Sequence, residues 1–175
     1  MNRGKMSGIL AMALVLGLAL SGCATTTVGA TDPALHGRWL SEDDGEVEIR
    51  LNNDHVKFFL YDLPMARGTY TTSANTITIH FTEIHGAFLS MAFDEEFEDE
   101  ELIWVFPSSW LTRSQIVTIF ENELENMGIP IEDISDYFDF IFAAFDEILT
   151  IVTGTYEVSG NILTMTFEGE TNIFT

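Results

Sequence analysis

An acidic run near the middle of the chain holds the densest set of side chains that could bind a cation. Seven of the eight positions in 94–101 are Asp or Glu. Oxygen ligands at this density could hold Ca²⁺ weakly, and the ligands of such a site would be Asp94, Glu95, Glu96, Glu98 and Asp99. The run lacks the Asp, Asn and Gly spacing of a calcium loop, so the favoured interpretation is a solvated, self-repelling loop. We therefore predict no metal site and no cofactor.

Sequence motifs of common enzyme classes are absent. The chain contains neither Gly-x-Ser-x-Gly nor His-Glu-x-x-His, and it has no Gly-rich loop that could cradle a phosphate. Carboxylates are so numerous that no pair stands out as a glycosidase dyad. His80 and His85 are five residues apart, and strand alternation places His80 on an outer face. We predict that the protein is not an enzyme.

The single cysteine, Cys23, follows a segment with the features of a secretion signal. Arg3 and Lys5 come first, and 9–20 is an almost unbroken apolar run that is short for a membrane span. One cysteine excludes an intrachain disulfide and a Cys-based zinc site.

Leu20-Ser21-Gly22-Cys23 resembles the lipobox of bacterial lipoproteins. The resemblance implies cleavage before Cys23, a diacylglycerol on its thiol and acylation of the new amino terminus. We therefore expect residues 1–22 to be a signal peptide and 23–33 a lipid-anchored tether. The expected location is the bacterial cell envelope, at the outer membrane if the host is Gram-negative.

Composition bounds the class of the remaining domain. The chain has 175 residues, with 28 acidic and 7 basic side chains and a formal charge of −21, and 46% of its residues are hydrophobic. That apolar content excludes wholesale disorder, and the shortage of Lys and Arg argues against a nucleic-acid partner. Residues 34–175 are predicted to form one domain.

Alternating apolar and polar residues indicate short strands. Val47, Ile49 and Leu51 alternate with Glu46, Glu48 and Arg50, and turn-forming residues flank them at 43–45 and 52–54. We expect Glu48 and Arg50 on a solvent-exposed face. Such strands at this spacing favour an antiparallel sandwich or barrel.

An internal repeat supports this prediction. Residues 68–81 align with 154–167, and seven of the fourteen positions are identical. The alignment places 73–75 and 159–161 at equivalent hairpin turns, where Asn and Gly tolerate positive φ. It also places Ile77, Ile79 and Phe81 on the same face as Leu163, Met165 and Phe167.

The period changes to that of helices between the repeats. Thr112 and Gln115 fit a capping box with Leu111 and Ile116 placed for a hydrophobic staple, and Gly128 and Pro130 would end that helix. A second helix is predicted over about 130–150. We expect an αα-hairpin inserted at about 111–152.

Gly37-Arg38-Trp39 at the first strand resembles the Gly-x-Trp opening of lipocalins. The two repeats resemble the Gly-x-Tyr strands and Asn-led strands of bacterial lipocalin-like lipoproteins. The resemblance covers about 35–81 and 153–175, and it implies a structural role for Gly37 and Trp39 at the barrel floor. The predicted fold is mainly β: an antiparallel lipocalin-like β-barrel with an inserted αα-hairpin.

The favoured function is a non-catalytic binding module for a small apolar ligand, and one alternative stays open. In the favoured function, the barrel binds this ligand under the helical hairpin. Its candidate contacts are aromatic and sulfur-containing side chains: Trp104, Phe106, Phe138, Phe142 and Met165. In the alternative, the core is filled and the lipoprotein has a structural role or contacts protein partners through its acidic surface. Eight-stranded barrels accommodate either arrangement.

Overall fold

The computed structural model describes most of the domain as an antiparallel β-barrel with two helices. The described residues are 31–42, 46–96, 106–128, 142–143, 145–146 and 148–175. The predicted mainly β, antiparallel barrel is therefore confirmed. The expected signal peptide, and the part of the tether before residue 31, lie outside the described residues.

Nine strands and two helices are described. The strands are β1 (Gly37–Leu40), β2 (Val47–Asn52), β3 (His55–Leu60), β4 (Leu63–Ser73), β5 (Thr76–His85), β6 (Trp110–Leu111), β7 (Ile151–Ser159), β8 (Ile162–Phe167) and β9 (Glu170–Phe174). The helices are α1 (Gly86–Glu96) and α2 (Arg113–Met127), and a 3₁₀ turn spans Pro33–Leu35.

The sheet closes on itself. Its strand order is β1-β2-β3-β4-β5-β7-β8-β9, and the short β6 pairs with the end of β5. At the seam, Leu40 N–H donates to the Thr175 carbonyl at 3.0 Å and Thr175 N–H donates back to the Leu40 carbonyl at 2.8 Å. A bridge between Ser41 and Phe174 extends this contact. Closure removes the free edges that an open sheet would present to other chains.

The 3₁₀ turn covers one end of the barrel. Leu35 is fully buried, and the Trp39 indole N–H donates to the Leu35 carbonyl at 2.8 Å. Asp32 caps the turn by accepting a hydrogen bond from the Ala34 N–H at 2.9 Å. A buried hydrogen bond thus holds the Trp39 side chain against the 3₁₀ turn.

The internal repeat corresponds to two equivalent hairpins. Ser73 pairs with Thr76, and Ser159 pairs with Ile162, so each turn contains two residues. The first turn residue has positive φ in both hairpins, 54° at Ala74 and 63° at Gly160. The inward set predicted from the repeat is confirmed: five members are buried and Phe167 is partly buried against the core.

The first glycine of each repeat lies where the barrel leaves no room for a side chain. A Cβ on Gly68 would be 1.8 Å from the His80 carbonyl oxygen, in the backbone of β5. A Cβ on Gly154 would be 2.4 Å from the Thr166 oxygen. Gly37 differs, because a Cβ there would meet nothing nearer than Trp39 at 3.6 Å. The repeat therefore preserves close contacts between strands.

Helix α2 agrees with the sequence prediction, whereas helix α1, which precedes it in the chain, is not part of that prediction. Thr112 and Gln115 form the predicted capping box, and Gly128 ends the helix in the left-handed conformation. Helix α1 had no sequence signal that we recognised, because its apolar residues do not follow a helical stripe. Phe88 and Leu89 nevertheless bury it in the core. Residues 142–143, 145–146 and 148 are helical, and most of the predicted second helix lies outside the described residues.

The glycine contacts give a direct prediction. Gly68→Ala and Gly154→Ala should each lower the free energy of unfolding by about 3 kcal/mol or more, because a β-carbon would overlap strand backbone that cannot move independently. Gly37→Ala is the matched control and should change it by less than about 1 kcal/mol. Urea denaturation of the three variants measures this, and equal stabilities would contradict the packing described.

Candidate functional site

The barrel interior is filled by its own side chains. Val56, Ile77, Leu163 and Met165 project inward from three strands, and each has 0% of its surface exposed. A side chain with no accessible surface borders no void large enough for a water molecule. Phe58 and Phe81 add a T-shaped ring contact with centroids 6.3 Å apart. The centre of the barrel is therefore packed as a protein core.

The residues predicted to contact an apolar ligand occupy separate places. Met165 lies in the barrel core. Phe106 and Phe142 lie in an aromatic cluster around Phe120, with ring centroids 5.3 Å and 6.1 Å from that ring. Trp104 and Phe138 lie outside the described residues. The structure thus brings Phe106 and Phe142 together beside α2, and their ligand-binding role stays a prediction.

The predicted lipidation and cation sites fall largely outside the described residues. Cys23, Glu98 and Asp99 are not described; residues 94–96 end α1, but nothing is described of their side chains. Within the described residues, no three His, Cys, Asp or Glu side chains converge as a metal site requires. Among those same residues, no helix has the length and apolar character needed to cross a membrane.

Four basic side chains form one row across the outer face of neighbouring strands. Arg38 on β1 is paired with Arg50 on β2, Arg50 with Lys57 on β3, and Lys57 with Arg67 on β4. We call these four residues the basic row. Only one basic residue after Lys5, Arg113, lies outside it. The row continues on β5 with Glu83, the partner of Arg67.

Glu48 is buried beneath this row, which corrects the prediction of an exposed side chain. Only 2% of Glu48 is exposed, because Arg38 and Arg50 lie against it. Arg50 Nε hydrogen-bonds Glu48 Oε1, and Arg38 Nη2 lies 2.8 Å from Oε2. Burial would raise the pKa of Glu48, but the Arg50 hydrogen bond and the two guanidinium charges outweigh it and lower that pKa. Glu48 therefore remains charged at neutral pH.

Two aromatic rings and Glu83 hold the guanidinium groups of Arg67 and Arg50 in place. Arg67 donates from Nε and Nη2 to the Glu83 carboxylate at 2.5 and 2.9 Å, and this hydrogen bonding lowers the pKa of Glu83. Arg67 also lies over the Trp110 ring, with its Cζ 4.9 Å from the centroid. Arg50 stacks on Phe59 at 4.0 Å. Stacking and ion pairing together fix the planes of both groups.

A groove of about 580 Å³ runs along the centre of the basic row. Its charged lining comes from Arg50, Lys57, Arg67 and Glu83, with His55 and Thr82 at its borders. Within the described part of the chain, Lys57 is exposed and has no ion-pair partner. The groove can therefore offer several N–H donors to one anionic group.

The basic row is not predicted by sequence pattern alone, although part of its signal is present. The Asn53-Asp54 turn pairs Asn52 with His55, and the same register places Arg50 opposite Lys57. The neighbours of Lys57 and Arg67 depend on two β-bulges. Met65 is unpaired between β3 and β4, and Thr82 is unpaired between β4 and β5. Pro64 and Gly68 lie next to the two register shifts, and such residues are common at bulges, but they do not determine which residue stays unpaired.

Comparisons with known proteins give no further constraint. No protein-family model matches the chain, and searches of curated proteins and of solved structures find no significant match. Function is therefore inferred from the residues and contacts of this chain.

Two equivalent tyrosines in the repeats differ in their hydrogen bonds. The Tyr156 hydroxyl donates to Asp32 Oδ2 at 2.9 Å or to the Ala74 carbonyl at 3.1 Å. The Tyr70 hydroxyl is buried and has no hydrogen-bond partner among the described residues. Burial, followed by the charges of Asp32 and Asp54, raises the pKa of Tyr70 to about 12.

This difference predicts that removal of the two hydroxyls will have different effects on the free energy of unfolding. Tyr156→Phe should lose about 1 kcal/mol of stability at pH 7, whereas Tyr70→Phe should be neutral or slightly stabilising. Since the folded pKa of Tyr70 exceeds its unfolded value near 10, its contribution is complete below pH 10 and is lost as pH rises toward 12. Tyr70→Phe should therefore lose less stability than the parent between pH 7 and 11. Urea unfolding at both pH values measures this; equal losses would contradict the assignment.

Proposed function

We propose that this protein is an exported bacterial lipoprotein, anchored at the cell envelope through acylated Cys23, whose barrel acts without catalysis as an interaction module. The observation that carries the proposal is the filled interior. Among the described residues, inward side chains such as Leu163 and Met165 have no accessible surface and leave no room for a ligand beside them. Recognition is therefore assigned to the outer surface.

The sequence supports the anchor. Residues 1–22 resemble a lipoprotein signal peptide, and Cys23 is the single cysteine of the chain. Each buried acyl CH₂ contributes roughly 0.8 kcal/mol, so two or three chains would give a stable anchor. The formal charge of −21 would repel the body from anionic headgroups, and the tether would let it stand away from the membrane.

A small apolar ligand is the second candidate function. The aromatic cluster of Phe106, Phe120, Phe142 and Phe145 favours this function. The cluster lies beside α2 and outside the barrel centre. Phe142 is only partly buried, and its ring is 6.1 Å from those of Phe120 and Phe145. A displacement of the helical residues near Phe142 would expose an apolar surface suited to such a ligand.

One comparison in the native host separates these functions. We expect the parent protein to fractionate with membranes and to carry covalent acyl mass, while Cys23→Ser should be soluble and lack that mass. Native mass spectrometry of the soluble variant should find no bound lipid. A membrane-bound Cys23→Ser protein would contradict the anchor, and a stoichiometric apolar molecule on that variant would favour the second candidate.

A further inference from the structure

We infer that the groove along the basic row is a binding site for a phosphate group carried on a small polar body. This deepens the proposed function, because it names the ligand chemistry of the outer surface. The site consists of Arg50, Lys57 and Arg67, held by Glu48, Glu83 and the adjacent rings.

The arrangement of charge is unfavourable without a ligand. Neighbouring strands are about 4.8 Å apart, and like charges placed directly opposite each other destabilise a sheet. The chain has 28 acidic residues with which to alternate charge, yet Arg38, Arg50, Lys57 and Arg67 occupy consecutive positions in one row. Glu48, Glu83 and the exposed Asp62, which lies 3.8 Å from Arg38, neutralise only part of it. An anion seated above Lys57 would relieve the remaining repulsion.

Two β-bulges bring Lys57, Arg67 and Glu83 next to one another. An unbroken β3–β4 register would place Lys57 opposite Ala66, and the unpaired Met65 places it opposite Arg67 instead. An unbroken β4–β5 register would place Arg67 opposite Thr82, and the unpaired Thr82 brings Glu83 there. Bulges commonly re-aim side chains at functional sites. Here both bulges are needed to place Lys57, Arg67 and Glu83 side by side.

The donors suit phosphate better than a carboxylate. A guanidinium group has five N–H donors, of which Arg67 gives Glu83 those of Nε and Nη2. Arg50 contacts Glu48 through Nε, and Lys57 contributes an ammonium group that has no ion-pair partner among the described residues. These donors come from three strands, so they match an anion with oxygens in several directions. The groove volume of about 580 Å³ also exceeds what a bare phosphate needs, which leaves space for a glycerol- or sugar-sized body.

The phosphate could belong to a soluble compound or to a lipid headgroup, and two probes distinguish these sources. The first is glycerol 3-phosphate, followed by amide chemical shifts of the full chain in a zwitterionic detergent. The second is sedimentation with vesicles of phosphatidylglycerol, compared with vesicles of phosphatidylcholine. Stronger binding of the soluble probe identifies a free phosphate compound, and preference for phosphatidylglycerol identifies a headgroup.

Lys57→Gln is the test variant and Arg113→Gln is its matched control. Each removes one positive charge, but Arg113 lies on α2, where it pairs with Asp146. Both retain Cys23, so any contribution of an acyl anchor to vesicle binding cancels. We expect shifts centred on Arg50, Lys57 and Arg67, and about tenfold weaker binding in Lys57→Gln, equivalent to about 1.4 kcal/mol. Arg113→Gln should bind within about twofold of the parent.

Three outcomes would overturn the inference: no binding of either probe, equal weakening in the two variants, or shifts centred away from the groove. None of them bears on the anchor or on the filled interior, which fractionation and mass measurement of Cys23→Ser examine separately.

Discussion

Closure of the sheet between β1 and β9 is the constraint on which the rest of the structure depends. Once Leu40 and Thr175 exchange hydrogen bonds, every second side chain of eight strands must fit a space that such a barrel leaves barely wide enough to fill. Large inward residues such as Tyr70 and Met165 use that space completely. Gly68 and Gly154 keep the strands close where no side chain fits. A closed, filled barrel leaves recognition to surfaces outside its centre.

The same closure determines what that surface presents. Register converts separate basic residues on β1 to β4 into one row, and the buried carboxylate of Glu48 beneath it keeps two guanidinium groups in place. Stacking of Arg50 on Phe59 and of Arg67 on Trp110 limits their motion. A protein of strongly negative charge thereby places three of its few cations, Arg50, Lys57 and Arg67, at one groove. The register of the strands thus determines which charged side chains a ligand would meet at the groove.

Much of the fold could be predicted from sequence because its strands, turns and helix cap follow from local sequence patterns. Alternation at Val47, Ile49 and Leu51, the repeated hairpins and the capping box at Thr112 each follow from neighbouring residues. Burial of Glu48 could not be predicted, since it depends on the long side chains of Arg38 and Arg50 from two strands. The candidate groove was missed for the same reason: its cations meet only after the register of four strands and two bulges is known.

Xenon binding tests the filled interior most directly, because apolar cavities that exclude water still bind this gas. A crystal of the full chain pressurised with xenon should show no xenon atom among Val56, Ile77, Leu163 and Met165. An ordered xenon atom at the barrel centre would contradict the account, since it would reveal apolar space inside the barrel that a small ligand could occupy.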